Sequence, residues 1–132
     1  PKEQVIVAST GVIGQVLPIE PIIKAVPILA KELDYGKNEE ASTAIMTTDT
    51  IKKEYAVEFE IGGVKCTLGG MAKGSGMIHP NMATTLNFIT SDCAISAKML
   101  QKALSEIVKV TYNCLSVDGD TSTNDMLSLM AN

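Results

Sequence analysis

Residues 55–68 read Tyr55-Ala56-Val57-Glu58-Phe59-Glu60-Ile61-Gly62-Gly63-Val64-Lys65-Cys66-Thr67-Leu68. Apolar side chains occupy every second position on both sides of the glycine pair: Tyr55, Val57, Phe59 and Ile61, then Val64, Cys66 and Leu68. Successive side chains of a strand point to opposite faces, so this period of two predicts two strands. The Gly62-Gly63 pair tolerates the left-handed backbone that a tight hairpin turn demands. A β-hairpin therefore anchors the reading. Beyond it, residues 69–80 are glycine-rich and expected to be irregular, and residues 84–90 (TTLNFIT) resume strand chemistry.

Upstream, residues 5–8 (VIVA) are apolar and mostly β-branched, which predicts a short strand before the loop Ser9-Thr10-Gly11-Val12-Ile13-Gly14. Ile22, Ile23, Val26, Leu29, Ala30 and Leu33 follow helical spacing. Pro18 and Pro21 suit the entry of that helix, Pro27 should limit or kink its first turns, and Gly36 is expected to stop it. Residues 39–46 predict a second short helix. Ser96 is suited to cap a third, in which Leu100, Ala103, Leu104, Ile107 and Val108 form one apolar stripe opposite Lys98, Lys102, Glu106 and Lys109. Residues 117–125 (VDGDTSTND) predict a polar loop, and residues 126–130 a short apolar element almost at the chain end. Helices and strands in this arrangement are compatible with an α/β fold. An apolar element so close to the last residue suggests a domain interrupted, and hence a piece of a longer polypeptide.

A chain of 132 residues suffices for one domain with a modest core. Its 45% hydrophobic and 20% charged content is that of an ordinary globular protein rather than a disordered one. The net charge of −4 is spread without a basic stripe, and aromatic residues make up only 4%, so a nucleic-acid partner is not expected. No apolar run approaches the ~20 residues that span a bilayer, and Pro1-Lys2-Glu3-Gln4 lacks the pattern of a signal peptide. No membrane partner and a cytoplasmic location are the expectation. Cys66, Cys93 and Cys114 are odd in number and widely spaced, and His79 is the sole histidine, so no zinc set is expected; the thiols read as reduced and mostly buried.

Several motifs fail on spacing. In Gly70-Met71-Ala72-Lys73-Gly74-Ser75 the lysine precedes the glycine, which is not a phosphate-cradling P-loop, and Gly74-Ser75-Gly76-Met77-Ile78-His79 has His where a dinucleotide fingerprint needs its last glycine. Asp118, Asp120, Ser122 and Asn124 alternate like the start of a calcium loop, but Thr123 and Leu129 stand where Gly and Glu belong. Nothing in the sequence pairs Ser75 with His79 as nucleophile and base.

What remains is the run from Gly69 to Leu86, GGMAKGSGMIHPNMATTL. It closely resembles the self-cleavage region of the ornithine acetyltransferases (bifunctional glutamate N-acetyltransferases of arginine biosynthesis). Residues 9–14 (STGVIG), 45–50 (IMTTDT) and 116–125 (SVDGDTSTND) resemble the same family in the same order, so the likeness covers essentially the whole chain. It implies an α/β fold of layered sheets flanked by helices, DmpA/ornithine-acetyltransferase-like, of which this chain is the central, incomplete portion. It also implies a backbone cut between Ala83 and Thr84, with residues 1–83 ending one chain and 84–132 starting the next. The freed Thr84 is then the nucleophile, since an N-terminal Thr carries its own base, an α-amino group with pKa near ~8.

By the same resemblance the Thr10 hydroxyl and Gly11 amide form the oxyanion hole, and Thr47, Lys73 and Thr84 bind substrate. The implied substrates are N-acetylornithine and glutamate, with no cofactor and no metal. Use of acetyl-CoA as a second donor stays open, as a known split within the family. The cleaved chains are expected to stay associated as a heterotetramer. Read without the family, Thr10-Gly11 is an ordinary turn, Thr47 a polar helix end and Lys73 a solvated loop charge. Thr85 is a second possible nucleophile, and it and His79 depart from the commonest family residues. A related amidase or aminopeptidase that hands its acyl group to water is the competing enzyme class, and a folded fragment without activity of its own is the other alternative.

Overall fold

The computed structural model describes residues 1–79 and 85–132. Ala83 and Thr84 lie outside the described residues. The chain divides into two compact units, Pro1–Ala41 and Ser42–Asn132.

In the first unit, helix α1 covers Glu20–Lys31, with a proline in its first turn and Pro27 inside it. Pro21 suits that entry because the first N–H groups of a helix have no intrahelical acceptor to lose. The expected stop at Gly36 is not where α1 ends. Its last turn closes on the Glu32 N–H, which donates to the Ile28 and Leu29 carbonyls. Gly36 instead sits in a short 3-10 turn, Tyr35–Lys37, where its N–H donates to Asp34 Oδ1 at 3.4 Å. Residues 5–8 form no strand. Their β-branched chains favour extended backbone, but a strand also needs a ladder partner, and none of the described strands pairs with them.

Helix α2, Asn38–Ala44, runs across the boundary into the second unit, in which strands β1 (Lys53–Ile61), β2 (Val64–Lys73), β3 (Leu86–Ser91) and β4 (Met126–Ala131) make one sheet in that order. The chain is α/β, as expected, with a mixed sheet. The first three strands are antiparallel, and β4 lies parallel to β3, with Leu86 opposite Met126. A parallel neighbour requires a long return, and helix α3 (Ala97–Ile107) is part of it. Ser96 caps α3 as expected, its Oγ accepting the Met99 N–H at 3.4 Å.

The hairpin forms in the expected register, Ile61 opposite Val64 and Phe59 opposite Cys66. Gly62 (φ 59°) and Gly63 (φ 79°) both take the left-handed backbone. The expectation of irregular backbone from residue 69 is overturned in part, because β2 continues to Lys73. Gly69 and Gly70 are poor strand formers, yet they pair on both sides, Gly70 with Tyr55 of β1 and Ile89 of β3. A Cβ on Gly70 would sit 3.1 Å from the Phe88 carbonyl oxygen and 3.2 Å from Ile89 Cγ1, so the glycine permits close strand approach.

Among the described residues the buried apolar side chains are Cys66, Ile78 and Leu86, outnumbered by buried polar ones. Of the thiols, Cys66 is buried, Cys93 half-buried and Cys114 exposed, which corrects the expectation of mostly buried cysteines. No helix among the described residues is long and apolar enough to cross a membrane.

Candidate active site

Lys73 ends β2 opposite Leu86 and is only 5% exposed. Burying an ammonium is costly unless an acceptor replaces its water. Among the described residues no hydrogen bond or ion pair reaches this side chain. The reading of Lys73 as a solvated loop charge therefore fails. Lys73 lines a cavity of about 220 Å³ together with Lys53, Ile78, Thr85, Asn87 and Tyr112.

Among the described residues, two polar groups of that cavity lack partners: Thr85 Oγ1 and Asn87 Oδ1 are both buried without a hydrogen bond. Their residues are nevertheless firmly held. The Thr85 N–H donates to Asp125 Oδ1 at 2.8 Å, and its carbonyl accepts the Met126 N–H at 2.9 Å. Asn87 Nδ2 donates to the Met126 carbonyl at 3.3 Å, which leaves the side-chain oxygen unspent. Burial pushes the Tyr112 phenol above its ordinary pKa and keeps its proton on at neutral pH. A cation, a hydroxyl and an amide oxygen are thus fixed around one space, complementary to a carboxylate accompanied by an N–H donor. A larger groove of about 410 Å³ lies along β1 and β2 between Tyr55, Val57, Leu68 and Ile89, and neither Thr85 nor Asn87 lines it.

Asp49 fixes the approach to Lys73. Its Oδ1 accepts the Gly74 N–H at 2.8 Å and the Lys53 ammonium, and its Oδ2 accepts the Thr47 N–H at 3.2 Å. Burial alone would raise this carboxyl's pKa, but the bonds from Lys53, Gly74 and Thr47 outweigh it and bring it down to about 2. One charged side chain therefore ties the Thr47 backbone to the residue after Lys73, and these two predicted substrate-binding residues come together through it. Thr47 itself is exposed.

Thr10 and Gly11 belong to the first unit, where they precede a turn closed by the Gln15 N–H on the Val12 carbonyl. Ser75 Oγ shares a 2.7 Å hydrogen bond with Thr48 Oγ1 while His79 is exposed, so the structure, like the sequence, does not pair the two. Sequence reasoning missed Asn87, Asp49, Asp118 and Asp125. An amide in the middle of the apolar strand TTLNFIT was the visible sign of Asn87; the aspartates lay within quoted motifs, but each also binds a partner 25 to 41 residues away.

The family model described as the ArgJ family matches residues 1–132. The chain is 53% identical over all of its 132 residues to the arginine biosynthesis bifunctional protein ArgJ of Listeria monocytogenes (strain EGD-e), covering 33% of that protein. It is 55% identical over 130 residues to the protein of the same name from Bacillus subtilis (strain 168), and 52% identical over 130 residues to that of Thermosynechococcus vestitus. In each case 98% of this chain is matched, against 32% and 31% of those proteins. The chain spans about a third of the length of these relatives. With the whole chain inside the family match and more than half its residues shared with such relatives, it belongs to the ArgJ family.

Proposed function

We propose that this chain is the central part of a self-cleaving glutamate N-acetyltransferase acting in arginine biosynthesis. The Thr84 hydroxyl attacks the Ala83 carbonyl, the amide becomes an ester by an N-to-O shift, and water splits that ester to leave Thr84 with a free amine. In turnover, this amine takes the hydroxyl proton as Thr84 attacks the acetyl carbonyl of N-acetylornithine. Ornithine leaves with a proton, and the acetyl-threonine ester is then attacked by the amine of glutamate, restoring Thr84. The Thr10 hydroxyl and Gly11 N–H stabilise the oxyanion of each tetrahedral intermediate, a donor of this kind contributing about 3 kcal/mol. Lys73 pairs with the α-carboxylate that donor and acceptor share, and Thr47 completes the contact. The cleaved chains stay together as a cytoplasmic heterotetramer.

The observation that supports this reading best is Lys73, a lysine only 5% exposed that lines a cavity with two buried polar atoms lacking partners among the described residues. An amino-acid substrate supplies a carboxylate for Lys73 and an N–H for Asn87 Oδ1.

The test is the intact mass and N-terminal sequence of the full-length protein, followed by acetyl release with and without glutamate. Two chains, the second beginning Thr84-Thr85-Leu86, and turnover accelerated by glutamate are the expected result. A single uncut chain would overturn the nucleophile. A cut protein indifferent to glutamate would be an amidase, and replacing N-acetylornithine with acetyl-CoA decides whether the second donor is used.

A further inference from the structure

The loop of residues 117–125 crosses the chain on both sides of residues 80–84. At its start, Asp118 Oδ2 accepts the Met77 N–H at 2.6 Å and Oδ1 accepts the Ile78 N–H at 2.9 Å, while the Val117 N–H donates to the Ile78 carbonyl at 2.9 Å. At its end, Asp125 Oδ1 accepts the Thr85 N–H at 2.8 Å, and the next residue, Met126, donates its N–H to the Thr85 carbonyl. Met77 has φ 58°, a left-handed backbone uncommon outside glycine, at the point where Asp118 grips it.

We propose that Asp118 and Asp125 are positioning residues for self-cleavage, clasping the chain upstream at Met77-Ile78 and downstream at Thr85 so that the Ala83–Thr84 bond is held between two fixed ends. This inference rests on the self-cleavage reading above. Attack of a hydroxyl on the carbonyl of the preceding residue competes with every other arrangement of a short segment, and fixing the ends of that segment removes most of the competitors. Charged acceptors suit the task, because hydrogen bonds from N–H to carboxylate are the stronger kind. The Met77 and then the Ile78 N–H keep the Asp118 carboxyl below its usual range, so the clasp is charged at neutral pH.

The clasp also has a use after the cut. Ile78 and Thr85 both line the Lys73 cavity. Hydrogen bonds from one loop to both flanks do not depend on the bond between them, so Ile78 and Thr85 keep their places in the cavity lining.

The experiment follows cleavage of the full-length protein after cell-free synthesis, by intact mass against time, with melting temperature measured alongside. Asp118→Asn replaces one of two accepting oxygens at nearly constant volume, and Asp125→Leu removes the acceptor for Thr85. Both should slow cleavage by about tenfold to a hundredfold when assayed well below the melting temperature of every variant. Asp125→Asn keeps one oxygen for the Thr85 N–H and should restore most of the rate, even at temperatures where Asp125→Leu is fully folded. Asp118→Asn cutting at the wild-type rate would overturn the proposal. A wild-type chain that never cuts would instead overturn the self-cleavage reading on which it rests.

Discussion

The two ends of strand β2 are built on opposite rules. At the hairpin end, the apolar side chains beside the turn face outward: Val64 is 61% exposed, and its partner Ile61 is similarly bare. At the other end polar side chains are buried, with Lys73 at 5%, Thr85 at 7% and Asn87 at 1% exposure. Apolar burial is the main favourable term in folding, and burial of an unpaired polar group opposes it. The hairpin end is thus a piece of ordinary sheet defined by local turn chemistry, whereas the Lys73 end buries polar groups at a cost in stability, as the proposed substrate site would require.

That contrast is broken most severely by removing the group the polar end is proposed to serve. In the full-length protein Thr84→Ala should abolish both cleavage and acetyl transfer, read by mass and by acetyl release. If the variant were still cut and active, Thr85 would be the next nucleophile to test. Lys73→Met separates function from stability more finely. It should lower kcat/KM for transfer about tenfold to a hundredfold by deleting a charged hydrogen bond to substrate. The melting temperature should hold or rise, because a buried side chain that carries a charge has been replaced by an apolar one of similar size. A lower melting temperature with unchanged kinetics would make Lys73 a structural residue and refute the contrast.

How far each end was legible in the sequence follows from the same difference. The period of two from Tyr55 to Leu68 and the Gly62-Gly63 turn are local signals, and the hairpin register they imply is the observed one. The Ser96 cap is local as well. The continuation of β2 through Gly69 and Gly70 was not legible, since glycine propensity argues against a strand and only the two flanking ladders override it. Residues 5–8 show the converse, extended propensity without a ladder. At the site, residue types pointed to Lys73 and Thr47 only through family resemblance. Burial of Lys73 and the three aspartate anchors depends on contacts between distant segments, which no window of sequence contains. Thr84, the proposed nucleophile, and the proposed cut lie outside the described residues, so there the sequence still carries the whole reading.

A smaller effect sharpens the electrostatic side of the polar end. Asp49, 1% exposed at its side chain, has its pKa brought from 3.8 to about 2 in the fold. A depressed carboxyl contributes stability above its unfolded pKa and loses it as pH falls through the folded value. Between pH ~4 and ~2 the protein should therefore lose about 2 kcal/mol from this group. Urea unfolding of the uncut Thr84→Ala protein, with and without Asp49→Asn, measures it. The two should differ by about that amount at pH 6, and the gap should narrow steadily toward pH 2. A pH-independent gap would assign the effect of Asp49 to packing.

The smallest expected effect lies at the hairpin end and concerns backbone alone. Gly62→Ala places a Cβ on a residue with φ 59° where no other atom lies within 4 Å, so only the left-handed conformation resists the change. That conformation disfavours an L-residue by about 1–2 kcal/mol, and the substitution should destabilise by about 1 kcal/mol in the same urea assay. Cleavage and transfer should be untouched, because the turn lies at the far end of β2 from Lys73 and none of its residues lines the cavity. Loss of activity in Gly62→Ala would mean that the two ends of β2 are coupled, and the division between a structural end and a functional end would have to be abandoned.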